Sequence, residues 1–326
     1  MSIVPLNVSR SNQPDFSRHV VAIGAANMDV SVASTRPLLP HDSTPGTIHC
    51  NPGGVARNVA ENLSRLGVNV SMISVVGADL FGERLVEATA QAGVKLDTLH
   101  VLSGQRTASY MALHGPSGEL SVAVNDMEIL EALSPELLQR HEEMLQSAHC
   151  IVLDCNLGAS SLAWLLENES LPDIFADAVS VAKCTRMVPF LGRIHTLKVN
   201  RLEAQALTGQ VVSSIDDGLH ASRQLHDMGV RNVVLGLGKE GACWCDASGE
   251  VGYQAVNAVE VVNTNGAGDA MMAGLVQAHL ARKPLDQAVA WACACAQITL
   301  GSALANALTL SVSAVQACLI HHNTTK

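Results

Sequence analysis

Asn263-Thr264-Asn265-Gly266-Ala267-Gly268-Asp269-Ala270 follows a short apolar run, Val259 to Val262, and opens a helix of small residues through Met271, Ala273 and Leu275. A glycine-rich turn at the start of a helix leaves several backbone N–H groups without intrahelical partners, and the positive end of the helix dipole adds to their field. The turn reads as an anion seat. Asp269 stands just inside it, where a carboxylate beside a bound phosphate is unfavourable unless it has a proton to take. A general base next to a phosphoryl acceptor meets that condition. Glycine and aspartate at a helix start are also ordinary capping chemistry, so the rest of the chain has to decide.

With 326 residues, 48% of them hydrophobic, the chain can form one large α/β domain or two smaller ones around a real core. A formal charge of -10 without a basic run excludes nucleic acid and anionic membrane as partners, because phosphate polymers need clustered Lys and Arg. Nine cysteines are scattered, Cys243 with Cys245 and Cys293 with Cys295 among them, in no zinc-binding pattern. They read as reduced core residues. The 13 histidines likewise show no metal-ligand spacing, and His321-His322 reads as a solvated tail. Residues 1–18 form a polar leader containing Pro5 and Pro14, without an apolar signal region, so a cytoplasmic location is expected. No apolar run is long enough to span a bilayer, and Ala288 to Leu300 reads as a buried helix.

His19 to Ala26 is a β-prone apolar run ending in Asn27-Met28-Asp29, which places two polar side chains at the carboxyl end of a buried first strand, where open α/β sheets bind ligands. The following stretch, with Pro37, Pro40 and Pro45, is expected to leave the central sheet. It returns at Pro52-Gly53-Gly54-Val55-Ala56-Arg57-Asn58, where two glycines before a helix permit close backbone approach to a ligand and Asn58 lies one turn on. Val70 to Val76 reads as a strand and Phe81 to Ala92 as a helix. Thr107 to Leu113 with Leu120 to Val124 reads as a hairpin ending at Asn125. Excursions at about 30–50 and 98–126 could pair into one small sheet over the site. Beyond them Pro135 to Ala148, Ser161 to Glu167, Arg201 to Leu207 and Gly218 to Met228 read as helices. Cys150 to Cys155, Asp173 to Val179, Thr196 to Asn200 and Asn232 to Leu237 read as the strands between them, implying a mostly parallel sheet with helices on both faces. Gly236-Leu237-Gly238-Lys239-Glu240-Gly241 matches G-x-G-x-x-G, but a strand follows where a dinucleotide fingerprint needs a helix.

Asn27-Met28-Asp29, Gly53-Gly54 with Asn58, Asn200-Arg201-Leu202-Glu203, the Gly238 loop and Gly266-Ala267-Gly268-Asp269, in this order and spacing, resemble the ribokinase-like (PfkB-type) carbohydrate and nucleoside kinases. The resemblance covers nearly the whole chain. Within the family, Pro52 to Asn58, Asn125-Asp126-Met127, Asp154-Cys155-Asn156, Lys183-Cys184, Ile194 to Ala204 and Gly266 to Gly274 are most similar to its pseudouridine kinases. It implies a three-layer α/β sandwich over 19–326, with a mostly parallel central sheet and a small β lid. It implies ATP and Mg²⁺ as cofactors and the 5′-hydroxyl of a nucleoside, pseudouridine first, as acceptor.

On that resemblance Asp269 is the base, and the N–H groups of Gly266, Ala267 and Gly268 stabilise the transferring phosphoryl group. Asn27, Asp29, Gly53, Gly54 and Asn58 would hold the ribose, with Asn125 and Lys183 as further substrate contacts. Asn200 and Glu203 would organise Mg²⁺ through water, and Gly238, Gly241, Asn263 and Thr264 would border ATP. Many members carry Asp in place of Asn263, in a loop whose backbone oxygens often bind a monovalent cation, which leaves K⁺ activation open. Ala178 stands where the resembling enzymes carry proline. A kinase of another nucleoside or of a free sugar, and a silent sugar-binding protein on the same fold, are the alternatives. If lids pair across two chains, the protein would be a homodimer burying Tyr110 and Leu120.

Overall fold

The computed structural model describes residues 18–39 and 41–324, so the leader expected at 1–18 lies, but for Arg18, outside the described residues. The strands are β1 (His19–Ile23), β2 (Asn27–Ser34), β3 (Gly46–Gly53), β4 (Asn69–Gly77), β5 (Leu99–Leu102), β6 (Ser109–His114) and β7 (Leu120–Asp126), then β8 (Cys150–Asp154), β9 (Asp173–Asp177), β10 (Thr196–Asn200), β11 (Asn232–Gly236), β12 (Ala242–Cys245) and β13 (Val251–Gln254). The helices are α1 (Val55–Arg65), α2 (Leu80–Gln91), α3 (Pro135–Gln139), α4 (Glu142–Ser147), α5 (Ala159–Glu167), α6 (Val181–Cys184), α7 (Arg201–Thr208), α8 (Ile215–Asp227), α9 (Ala267–Leu280), α10 (Leu285–Leu300) and α11 (Val312–Thr324).

Nine strands form the central sheet in the order β13-β12-β11-β10-β9-β8-β1-β4-β5, parallel except at β12 and β13. Alternate residues of one strand feed two cores: Val20 and Ala22 of β1 pack with α1, α9 and α10, whereas Val21 and Ile23 pack with α5, α7 and α8. A strand covered on both faces needs apolar residues throughout, so these strands read as unbroken hydrophobic runs. Helix α9 is buried nearly all round, and each of its large side chains, Met272 or Leu275, contributes about 1.5–3 kcal/mol through burial. Seven cysteines are buried in these two cores, while Cys50 on β3 and Cys318 on α11 are partly exposed; all are free thiols. No helix among the described residues is long and apolar enough to cross a membrane.

The remaining four strands form a second sheet, β3-β2-β6-β7. The two proline-marked excursions therefore pair with each other as expected, with two shifts of boundary. Leu99–Leu102 pairs with β4 in the central sheet, so the second excursion begins after it. The first strand of the central sheet stops at Ile23, and Asn27 and Asp29 stand on lid strand β2 rather than at the end of β1. Gly24 breaks the run with φ +145°, and the apolar residues beyond it serve the turn into the lid. Pro135 to Ala148 is two short helices, α3 and α4, broken at Arg140 and His141 rather than one.

Candidate active site

The order of the central sheet reverses at β1, which lies between β4 and β8, and a crevice opens beyond the carboxyl ends of strands flanking such a point. Asp154 ends β8 there. Its Oδ2 accepts from the N–H of Ala25 at 3.0 Å and of Ala56 at 2.9 Å, and its Oδ1 from Asn156 at 2.9 Å. One buried carboxylate thus ties the turn after β1 to the first turn of α1. Burial raises the Asp154 pKa, against the pull of these three donors.

The two glycines before α1 have different reasons to be glycine. A Cβ on Gly53 would fall inside the Asp29 carboxylate, and Gly54 has φ +99°. Asn27 Nδ2 donates to Asp29 Oδ1 at 2.6 Å, and burial raises the Asp29 pKa although Asn27 and Arg57 oppose it. Asp29 lies in one row across the lid with Asn51, Tyr110 and Asn125, so these four side chains share a face. Asn125 is exposed two strands from Asp29, about 10 Å away at ~4.8 Å per strand. Tyr110 belongs to this polar face. The exposed apolar face opposite carries Ile48, Met111, Val122 and Val124.

Asp269 projects from the first turn of α9 and is 8% exposed. Gly266 precedes the helix in the left-handed region with no side chain capping it, so the first N–H groups of α9 stay available. Burial, then the Asp177 charge, raises the Asp269 pKa to about 7, while Lys198 and the Asn58 amide hold it down. Asn58 Nδ2 donates to Asp269 Oδ2 at 2.7 Å. Beneath the glycine turn, Lys198 Nζ pairs with Asp177 Oδ2 at 2.7 Å, and a Cβ on Gly268 would stand 2.7 Å from that Nζ. Burial would lower the Lys198 pKa, but Asp177, Asp269 and Glu203 outweigh it and keep the ammonium charged.

Asn200 and Glu203 form a reciprocal capping box at α7: Glu203 N–H donates to Asn200 Oδ1 at 3.0 Å, and Asn200 N–H and Nδ2 each donate to one Glu203 oxygen at 2.8 Å. Glu203 is 2% exposed with its pKa raised by burial. Register sets Asn200 beside Gly236, two residues before the Gly238–Gly241 turn. Lys183 Nζ donates to Asn156 Oδ1 at 2.5 Å, which brings it to the Asp154 turn; next to Ala178, Val179 adopts φ +64° with its N–H on Asp177 Oδ1. Asn263 Nδ2 donates to the Ala303 carbonyl at 3.1 Å, and Thr264 is exposed.

Arg57, 2% exposed, joins the parts. Its guanidinium donates to the carbonyls of Pro52 and Gly53, to Glu61, to Asn306 Oδ1 and, at 2.6 Å, to Asn58 Oδ1. With that oxygen engaged, the amide of Asn58 can only donate towards Asp269. The sequence motifs include Arg57, Asp154 and Lys198 without assigning them a role, and Asp177 and Asn306 carry none either. The charged residues inside apolar runs, Asp154 and Asp177 at strand ends and Lys198 within β10, were the available signal. Gly266→Ala should cost about 1–3 kcal/mol of stability by chemical denaturation, since its Cβ would overlap the Ala305 carbonyl and its φ is +80°.

Residues 17–311 match the family model described as pfkB family carbohydrate kinase. The chain is 41% identical over 297 residues to a pseudouridine kinase of Escherichia coli, covering 91% of this chain and 95% of that one. It is 36% identical over 293 residues to an uncharacterised sugar kinase of the same organism, covering 90% and 81%. A ribokinase of Arabidopsis thaliana, solved with ribose and ATP, superposes with a TM-score of 0.83 at 20% identity over 93% of this chain and 99% of that one. Sheet order, lid and turn chemistry are accounted for together by one conclusion: the chain belongs to the pfkB family of carbohydrate kinases.

Proposed function

We propose that this kinase transfers the γ-phosphoryl group of ATP to the 5′-hydroxyl of pseudouridine. The observation that carries the reading is Asp269, a carboxyl group with pKa near 7 at the uncapped start of α9. Asp269 takes the hydroxyl proton through Oδ1, since Oδ2 is held by Asn58. The hydroxyl oxygen attacks phosphorus as the bond to the departing ADP breaks. Charge spreading over the transferred group is met by the N–H groups of Gly266, Ala267 and Gly268 and by Lys198 below them. Kinases of this family use ATP with Mg²⁺. Each Glu203 oxygen accepts one hydrogen bond and keeps a lone pair, so Glu203 with Asn200 could hold Mg²⁺ through water, where it would neutralise phosphate charge. Gly238, Gly241 and Thr264 would border the nucleotide. A K⁺ ion would be received by backbone oxygens of the Asn263 turn.

Asn27, Asp29, Gly53 and Gly54 hold the ribose in this reading, a carboxylate suiting a vicinal diol. The row running from Asp29 to Tyr110 and Asn125 supports a nucleoside over a free pentose, because it extends the polar face about 10 Å beyond the diol acceptor. Lys183 reaches the same crevice from α6. The apolar face of the lid, with Ile48, Val122 and Val124 more than half exposed, would be covered by a second copy of the chain. The sugar kinase at 36% identity keeps a second acceptor in view.

The test is ATP consumption with Mg²⁺ against pseudouridine, uridine, cytidine, inosine, adenosine and ribose. The expected result is the highest kcat/KM on pseudouridine; faster turnover of another member would move the acceptor and keep the chemistry. No turnover on any of them, with sugar binding intact, would leave a binding protein.

A further inference from the structure

At the end of the central sheet opposite Asp269, three side chains from three elements converge. Asp173 opens β9, His195 precedes β10, and His279 lies in the last turn of α9. Asp173 Oδ2 is 3.4 Å from His195 Nε2 and 3.6 Å from His279 Nε2, and the three atoms lie within 4.8 Å of one another. Both separations are long for N–H···O hydrogen bonds, which cluster at about 2.7–3.2 Å. They suit another geometry. With bonds of about 2.0–2.1 Å, the ligand atoms around a tetrahedral Zn²⁺ stand about 3.3–3.4 Å apart.

We propose that Asp173, His195 and His279 bind a divalent transition-metal ion of the Zn²⁺ type, with water as the fourth ligand. Two imidazoles and one carboxylate select such an ion over Mg²⁺, which prefers oxygen throughout. His195 Nδ1 lies 2.9 Å from Thr196 Oγ1; donating there, it leaves the Nε2 lone pair for a metal. Phe175 packs against both rings with centroids 5.1 Å away and restricts their rotation. A cavity of 60 Å³, lined by Phe175, His195, Thr196, Asn232, Leu275 and His279, adjoins the cluster and has room for a water molecule.

The negative end of the α9 dipole lies at His279. Arg18, Arg231, Lys283 and the nearby His149 ring oppose a cation, so affinity rests on the three ligands rather than on the wider field. The bound ion would fasten β9 and β10 to the far end of the helix that begins at Asp269, about 15 Å from the reacting groups at 1.5 Å per residue. Its action on the protein is structural.

The histidines show no metal-ligand spacing in the sequence because the three ligands are far apart along the chain and only the fold brings them together. The experiment treats the full chain with chelator, equilibrates it with ZnCl₂, and measures metal content, thermal midpoint and the visible spectrum with Co²⁺ substituted. Stoichiometric Zn²⁺, a raised midpoint and a Co²⁺ spectrum without thiolate charge transfer are expected. His279→Ala and Asp173→Asn should each weaken binding by more than about 100-fold, the upper end of the loss for second-shell partners alone. If His279→Ala does not fold, Asp173→Asn, at a half-exposed carboxylate, carries the test. Absence of stoichiometric binding, a thiolate band, or affinity unchanged in the folded variants would overturn the site.

Discussion

Asp269→Ala should lower kcat by about 10²–10⁴-fold, the usual worth of a positioned general base, with little change in nucleoside binding. The loss falls on kcat because Asp269 acts on the proton of the attacking hydroxyl, while the ribose contacts assigned to Asn27 and Asp29 stand on the lid. A pH profile gives an independent check. Since burial and Asp177 raise the Asp269 pKa to about 7, kcat/KM in the wild type should fall as pH drops through that value. The same shift bears on stability. The carboxyl ionises near its ordinary 3.8 in the unfolded chain and near 7 in the fold, so between those values the folded state keeps a proton that the unfolded state has lost. Its contribution is full below pH 3.8, declines as pH rises, and is lost above about 7. Asp269→Asn should therefore be more stable than the wild type at pH 8 and nearly inactive, measured by thermal melting and ATP turnover together. A variant that kept wild-type turnover would remove Asp269 from the chemistry.

Arg57→Met should destabilise the fold by about 3–5 kcal/mol, the range for removing one partner of a buried ion pair. A smaller loss is expected if Arg65, 2.6 Å from Glu61, takes over that carboxylate. The carbonyls of Pro52 and Gly53 and the oxygens of Asn58 and Asn306 would still lose their donor. Arg57→Lys should not restore stability, because an ammonium cannot present the planar fork that reaches all of them. Urea denaturation of the three proteins measures the difference. Any residual activity of Arg57→Met should show a raised KM for the nucleoside, since the Gly53–Gly54 turn is held from below by this side chain.

The sequence made the parts of this fold legible where one physical demand acts locally. Unbroken apolar runs such as Val70 to Val76 mark strands covered on both faces, and the glycines at 53–54 and 266–268 mark close approach at helix starts. The lid could be read from its prolines and turn residues, and its two halves do pair. What escaped reading depended on long-range assembly. Ile23 ends β1 because Gly24 turns the chain over Asp154, a residue 130 positions on, so the apolar stretch from His19 to Ala26 gave no sign of the break. The face of Tyr110 depends on its register against Asp29, and the Arg57 bonds on a loop at Asn306 that returns from the other end of the chain. The N-x-x-E pair was read for its place near phosphates; its reciprocal capping of α7 could have been read from the same four residues.

The distribution of thiols has a practical consequence. Burial raises the pKa of Cys150, Cys155, Cys184, Cys243, Cys245, Cys293 and Cys295, so few thiolates form and the surrounding core blocks alkylating reagents. Cys50 and Cys318 are the two that solvent partly reaches, Cys50 on the lid and Cys318 on the body, although burial raises the Cys318 pKa as well. A pair of fluorophores attached to the unmodified polypeptide would therefore report the distance between the two parts directly, and any displacement of the lid on adding an acceptor would be read optically without an engineered label site.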